Sequence, residues 1–83
     1  MSILTISIRQ LKAARALVGW SQEDLAASSA VSIPTIRRLE AAEGPLGGRQ
    51  GTVDALIAAL TAAGVIFIEE NGEGPGVRLR KGA

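Results

Sequence analysis

Two adjacent arginines, Arg37 and Arg38, carry the clearest binding chemistry in this 83-residue sequence. A guanidinium group keeps its charge at any physiological pH and presents five N–H donors in one plane, which suits phosphates and the edges of bases. No acid occurs between Ser32 and Leu39 to pair with them. The helix dipole also disfavours positive charge near a helix start. The two arginines therefore indicate an external partner that is long and anionic.

A short helix precedes these arginines and has clear start signals. Ser21 is predicted to cap it, and Asp24, three residues later, completes a capping box. Trp20 and Leu25 have the spacing of a hydrophobic staple, which would fix the angle at which the chain enters the helix. We expect this helix to run from Gln22 to about Ser28.

The arginines lie on a second helix, which we expect over Ile33–Ala41. Ser32 is its predicted N-cap, and Pro34 falls in the first turn, where a missing amide hydrogen has little cost. Ile36 and Leu39 are three residues apart and make the inward side of the helix. Both arginines are then left on the outer side, where a ligand can reach them.

Four pieces of this stretch form a set that matches a known family. They are SQEDLA from Ser21, Val31-Ser32, Thr35-Ile36 and Arg38-Leu39-Glu40. The set resembles the helix-turn-helix of the phage repressor/Cro-like (Cro/C1-type, xenobiotic response element or XRE) transcriptional regulators, without gaps, and the resemblance covers roughly residues 7–64. The sequence departs from the family pattern at Ala30, where glycine is usual, and at Ile33 and Pro34, where polar residues are frequent.

The resemblance implies binding to double-stranded DNA, with the second helix in the major groove. We expect base reading by Ser32, Ile33, Pro34, Arg37 and Arg38. We expect phosphate binding by Gln22, Thr35, Arg49 and Thr52. An arginine that bonds guanine O6 and N7 supplies about 1–3 kcal/mol of discrimination per base pair, and apolar side chains can contact thymine methyls. The alternative for each charged residue is a solvated surface position, and for Ile33 and Pro34 it is shaping of the helix start.

Helices are also predicted on both sides of this pair. Ser7 and Gln10 form a capping box that starts a first helix near Ile8. Its apolar side is expected to consist of Leu11, Ala14, Leu17 and Val18, and Gly19 should end it. A fourth helix is expected to be capped by Thr52, to bury Val53, Leu56, Ile57 and Leu60, and to close at Gly64. Glu40 is expected to form an internal pair with Arg15 or Lys12.

The two ends of the chain have β-type patterns. Val65–Ile68 is β-branched and aromatic, and Val77–Arg80 alternates after a glycine-rich turn, so the pair predicts a β-hairpin. Met1–Ile6 predicts either a short strand or a disordered arm, with the strand favoured. The family usually has a fifth helix where this hairpin stands. The predicted fold class is mainly α, a four-helix repressor-like domain (7–64) with a C-terminal hairpin (65–81) that contributes to a homodimer.

Composition excludes several other classes of protein. The sequence contains no cysteine and no histidine, which rules out disulfides and the usual zinc ligands, and we expect no metal or cofactor. Without His, Cys or Tyr an enzyme is hard to build, so we expect no catalytic residues. No apolar run approaches the ~18–20 residues of a membrane span, and no signal-peptide pattern occurs, so we expect a cytoplasmic protein.

The sequence as a whole predicts a single DNA-binding domain, 1–83. The net charge is only +1, so local basic groups rather than a global field must hold phosphates. We expect a transcriptional regulator that acts as a homodimer on an inverted repeat, most simply as a repressor. The alternative is a protein-binding antiactivator or antitoxin module built on the same scaffold, with a regulatory protein as its partner.

Overall fold

The computed structural model describes residues 5–83 and contains four helices followed by a two-stranded antiparallel hairpin. The elements are α1 (Ile8–Leu17), α2 (Gln22–Ser29), α3 (Ile33–Ala41), α4 (Gln50–Ala62), β1 (Val65–Ile68) and β2 (Gly76–Leu79). The predicted mainly helical class and the C-terminal hairpin are confirmed. The predicted strand over Met1–Ile6 lies largely outside the described residues, and its described part, Thr5 and Ile6, is not in a strand.

Capping boxes start α1 and α2 as the sequence predicts. The Ser7 hydroxyl accepts the Gln10 N–H at 3.1 Å, and the Gln10 side-chain oxygen accepts the Ser7 N–H at 2.8 Å. Ser21 and Asp24 repeat this arrangement at 3.0 and 2.9 Å. Each box satisfies amides that have no partner inside the helix, and this fixes where the helix begins.

The turn between α2 and α3 forces an alanine into the left-handed conformation. Ala30 has φ 62° and ψ 18° and is the only non-glycine residue with positive φ in residues 5–83. Its N–H donates to the Ala26 carbonyl at 2.9 Å and ends α2. The chain therefore keeps the turn geometry that favours glycine, although glycine is absent.

The start of α4 differs from the prediction by three residues. Thr52 is not the cap: the helix begins at Gln50, and Arg49 holds the N-cap position without a side-chain cap bond. The Val53 N–H donates to the Arg49 carbonyl at 3.1 Å, so the first turn closes around Thr52. Gln50 Nε2 also bonds Asp54 Oδ1 one turn later at 2.8 Å, which supports the earlier start.

A single apolar core joins all four helices and the first strand. The predicted apolar stripe of α4 is buried throughout its length. Leu17 is an exception to the prediction for α1, because its side chain is 42% exposed at the last position of that helix. The fully buried side chains that join the elements are Ile8, Leu11, Leu25, Ile36, Leu56, Leu60 and Val65.

The hairpin packs against α1 and α4. Its register pairs Ile68 with Gly76, so the second strand starts one residue before the predicted Val77–Arg80. Gln10 of α1 donates from Nε2 to the carbonyls of Ile68, at 3.2 Å, and Gly76, at 3.0 Å. An isolated two-stranded hairpin is marginally stable, and this amide fastens both strands to the helical core.

The end of α4 leads directly into the hairpin through Gly64. This residue has φ 108°, and a side chain there would collide with Ala83, so only glycine fits without strain. Its carbonyl accepts the Arg80 N–H at 2.6 Å. The hydrogen bond continues the pairing of the two strands one step beyond β1 and β2.

Candidate nucleic-acid interface

The outer side of α3 carries the two predicted base-reading arginines. Ile36 and Leu39 of this helix are buried, whereas Arg37 and Arg38 are exposed. Within residues 5–83 the single ion pair is made by other residues, so neither arginine has a carboxylate partner there. The helix is therefore fixed on one side by the core and offers two charged donors on the other side.

The first turn of α3 is held by two linked hydroxyl groups. The Ser32 hydroxyl accepts the Thr35 N–H at 3.4 Å and donates to Thr35 Oγ1 at 2.9 Å. The Thr35 hydroxyl hydrogen stays available for an outside acceptor, since its oxygen is the acceptor in this bond. Ile33 is half-buried, and Pro34 is exposed in the first turn. Ser32 thus positions Thr35 as well as lying near the predicted base-reading side.

Three of the four predicted phosphate-binding residues meet in one open groove. Thr35, Arg49 and Thr52 line it together with Arg38, Leu39 and Gly48, and its volume is about 290 Å³. Arg49 makes no cap bond, so the first amides of α4 keep their hydrogens free beside two arginines. Such a groove favours a tetrahedral anion.

Gln22, the fourth predicted phosphate ligand, lies apart from this groove. It is half-buried at the first position of α2, and its Nε2 donates to Glu40 Oε1 of α3 at 3.0 Å. The second hydrogen on that nitrogen is left for another acceptor. Gln22 is therefore separate from the other three predicted phosphate ligands and is hydrogen-bonded to α3.

Glu40 is the centre of a polar cluster that ties three helices together. Its two carboxylate oxygens accept from Arg15 Nε and Nη2 of α1, both at 2.9 Å, and the side chain is only 5% exposed. Arg15 Nη1 also donates to the Trp20 carbonyl at 2.9 Å. The predicted internal pair is confirmed with Arg15 as the partner. The bond from Gln22 to Glu40 agrees with the support of the second helix that the family resemblance implies for Gln22. The bond to the Trp20 carbonyl was not predicted, because nothing in the sequence marks Arg15 as its spatial neighbour.

The protonation of this cluster is set by competing effects. Burial is the largest influence on Glu40 and by itself would raise the pKa of the carboxyl group. Hydrogen bonds from Arg15 and Gln22, with the charges of Arg15 and Lys12, outweigh burial and hold the pKa of Glu40 below its usual range. The hydrogen bond to Glu40 likewise raises the pKa of Arg15. Both groups are therefore charged at neutral pH.

Comparison with known proteins finds one similarity, over the middle of the chain. A family model described as helix-turn-helix matches residues 11–48, from within α1 to the loop before α4. Residues 11–48, a little under half of the chain, are thus similar to the helix-turn-helix of Cro/C1-type (XRE family) proteins. The proteins of that family are DNA-binding regulators. No curated protein matches the chain.

The helix-turn-helix places α2 and α3 in known relative positions. By this similarity, α3 corresponds to the recognition helix of a helix-turn-helix and α2 to the supporting helix before it. The matched range includes the loop up to Gly48 but stops before α4 and the hairpin. Arg49 and Thr52 therefore come to the interface from outside the matched segment.

Two further classes of feature are absent from the described part of the chain. No group of three or more acidic, histidine or cysteine side chains there could hold a metal ion. None of its helices has the length and hydrophobicity needed to cross a membrane.

Proposed function

We propose that the protein binds a specific double-stranded DNA sequence as a homodimer and regulates transcription there. The observation that carries this proposal is the exposed Arg37–Arg38 pair on a recognition helix whose opposite side is locked into the core. Two copies would insert α3 into successive major grooves, about one helical turn apart on an inverted repeat. Repression by covering a promoter is the simplest mode of action.

Base reading is assigned to the exposed side of α3 and its cap. Arg37 and Arg38 would donate to guanine edges, where paired hydrogen bonds give the strongest base discrimination. Ile33 and Pro34 would contact thymine methyl groups. Ser32 would reach a base edge with the acceptor capacity that remains after it caps the helix. The apolar start of α3 and the two arginines after it predict that each half-site of the operator contains thymine near guanine.

Phosphate binding is assigned to the groove and to Gln22. Arg49, Thr52 and the first amides of α4 would hold one phosphate, and the free Thr35 hydroxyl hydrogen supports the same contact. Gln22 would donate its second amide hydrogen to another phosphate while it holds Glu40. These contacts set orientation and carry no sequence information.

The domain organisation proposed here is a single unit over residues 1–83. The helical core, 7–64, would bind DNA, and the hairpin region, 65–81, would hold two copies together. The hairpin has its own hydrogen bonds to α1, so it is a part of the same packed unit.

Selection of bound DNA from a random pool tests the proposal, and enrichment of an inverted repeat is the expected result. On the selected site, Arg37→Ala and Arg38→Ala should each weaken binding about tenfold or more, since each removes a base contact of ~1–3 kcal/mol. Arg9→Ala is the control, because it removes one exposed charge from α1, outside α3, the groove and the hairpin. Circular dichroism checks that each variant is folded.

Two results would contradict this function. One is a selection that enriches no sequence, and the other is unchanged DNA affinity in both arginine variants. Either would favour the protein-binding alternative, in which the scaffold acts as an antiactivator or antitoxin module and the arginines bind a protein partner.

A further inference from the structure

The hairpin has one face on the core and one face directed away from it. Val65 is 1% exposed, and Phe67 and Val77 pack against the core cluster. Side chains alternate between the two faces of a strand. The opposite face therefore carries the alternate residues, and we call it the outer face: Ile66, Ile68, Arg78 and Arg80.

The outer face has an apolar centre. The register places Ile66 directly across from Arg78, and Ile68 follows on the same side of β1. Ile66 is 37% exposed and is one of three large apolar side chains in the described residues that reach this degree of exposure. Burial of Ile66 together with the half-buried Ile68 would remove apolar surface from water, which would stabilise a contact on this face.

Charges of opposite sign lie at the two ends of the hairpin. The turn end carries three exposed acids, Glu69, Glu70 and Glu73. At the other end Arg80 is exposed and bonds Gly64, and the exposed Arg78 lies beside Ile66, two residues nearer the turn. Along the hairpin, the charge thus changes from acidic at the turn, past Ile68, to basic at Arg78 and Arg80, with Ile66 beside Arg78.

We propose that the outer face binds the outer face of a second copy of this chain, with the strands antiparallel across a two-fold axis. An isologous interface brings each patch against its symmetry-related complement. The antiparallel arrangement puts the acidic turn of each copy on the basic end of the other, and Ile66 and Ile68 meet their counterparts near the axis. A parallel arrangement would put like charges together.

This interface leaves the recognition helix free. The hairpin packs on α1 and α4, whereas α3 packs on α1 and α2, so α1 lies between the hairpin and α3. Arg37 and Arg38 would stay exposed when two hairpins are joined. The inference rests on the homodimer of the proposed function and names the surface that forms it.

Sedimentation equilibrium without DNA tests the apolar centre. The full-length wild-type chain is expected to dimerise. Ile66→Lys should weaken self-association about tenfold or more, because it puts a charge at the apolar centre of the interface. Leu17→Lys is the matched control, since Leu17 is equally exposed but lies at the end of α1, where a lysine suits the helix dipole.

Charge reversal tests the antiparallel orientation. Arg78→Glu with Arg80→Glu makes both ends acidic, and Glu70→Lys with Glu73→Lys makes both ends basic. Each double variant should self-associate about tenfold more weakly than wild type. The chain with all four substitutions exchanges the two ends, so its self-association should return to near the wild-type value.

Three outcomes would overturn the inference. These are unchanged self-association in Ile66→Lys, failure of the four-fold exchange to restore the dimer, and a wild-type chain that stays monomeric at all concentrations. Only the last also removes the homodimer from the proposed function. DNA binding by Arg37 and Arg38 is measured separately, on single half-sites that a monomer can occupy.

Discussion

Ala30 holds a backbone conformation that is unfavourable for any residue with a Cβ atom. Its φ of 62° ends α2 and turns the chain towards α3. The left-handed region costs an L-residue roughly 1–2 kcal/mol, whereas glycine adopts it freely. The absence of glycine could be read from the sequence. The persistence of the left-handed turn without glycine could not be read from the sequence, because packing of α2 and α3 on the core enforces it.

Replacing Ala30 with glycine is expected to stabilise the fold. Relief of the left-handed strain, less the greater flexibility of unfolded glycine, should raise the free energy of unfolding by about 0.5–1 kcal/mol. Ala27→Gly, at an exposed position inside α2, is the control and should lower it by about 0.5–1 kcal/mol. Urea unfolding measures both. A lower free energy of unfolding in Ala30→Gly would contradict the prediction that Ala30 is strained.

Glu40 acts as a link between helices, since its carboxylate joins α1, α2 and α3. Glu40→Gln should lower the free energy of unfolding by about 1–3 kcal/mol, because Arg15 loses its paired charge while still partly buried. Glu43→Gln removes an exposed acid from the following loop and serves as the control. Equal free energies of unfolding for Glu40→Gln and Glu43→Gln would show that Glu40 stabilises the fold no more than an exposed acid does.

The Glu40 cluster also predicts how stability changes with pH. Because the pKa of Glu40 is lower in the folded than in the unfolded chain, its contribution is complete above the unfolded pKa of about 4.3. The contribution is lost as pH falls through the folded pKa. The difference in unfolding free energy between wild type and Glu40→Gln should therefore be constant near neutral pH and shrink below about pH 4.3. A difference that grows on acidification would reverse the sign of the shift.

The N-cap position of α4 holds a charged residue that does not cap the helix with its side chain. A good N-cap residue at position 49 would bond a first-turn amide, whereas Arg49 makes no such bond. Arg49→Ser should stabilise the chain by about 0.5–1 kcal/mol. It should also weaken DNA binding and reduce the dependence of log affinity on log salt by about one. Thermal unfolding and salt titration separate the two effects. An unchanged salt slope would remove Arg49 from the phosphate contacts.

Helix starts were predictable where a short side chain caps an amide three residues away. Ser7, Ser21 and Ser32 all act in this way. The start of α4 was missed because no side chain marks it and the backbone at Arg49 sets it. The exposure of Arg37 follows from helical spacing alone. The groove that gathers Thr35, Arg49 and Thr52 depends on the path of the loop, which short-range patterns do not encode.

The whole molecule is a helical core and a hairpin, which are joined by hydrogen bonds between residues far apart in the sequence. Gln10 was predictable as part of a capping box, but the same side chain also clamps carbonyls 58 and 66 residues away. Such long-range bonds cannot be read from local periodicity. The clamp fixes the hairpin relative to α1, and α1 in turn holds α3 through Arg15. The orientation of two joined hairpins would therefore fix the spacing of two recognition helices.

Rigid coupling between the hairpin and α3 leads to a prediction about operator binding. The wild-type dimer should protect both half-sites of the selected inverted repeat at one concentration, because binding of one α3 places the other over its groove. Ile66→Lys should keep affinity for a single half-site but bind the full repeat without cooperativity, and its salt slope should fall to about half because one copy neutralises half the phosphates. Footprinting and salt titration on full and half operators measure both quantities. Arg37→Ala should instead weaken binding to both the full repeat and the single half-site about tenfold or more, while it still sediments as a dimer. If Ile66→Lys protected the full repeat cooperatively, the contact that aligns the two recognition helices would have to lie elsewhere than on the hairpin.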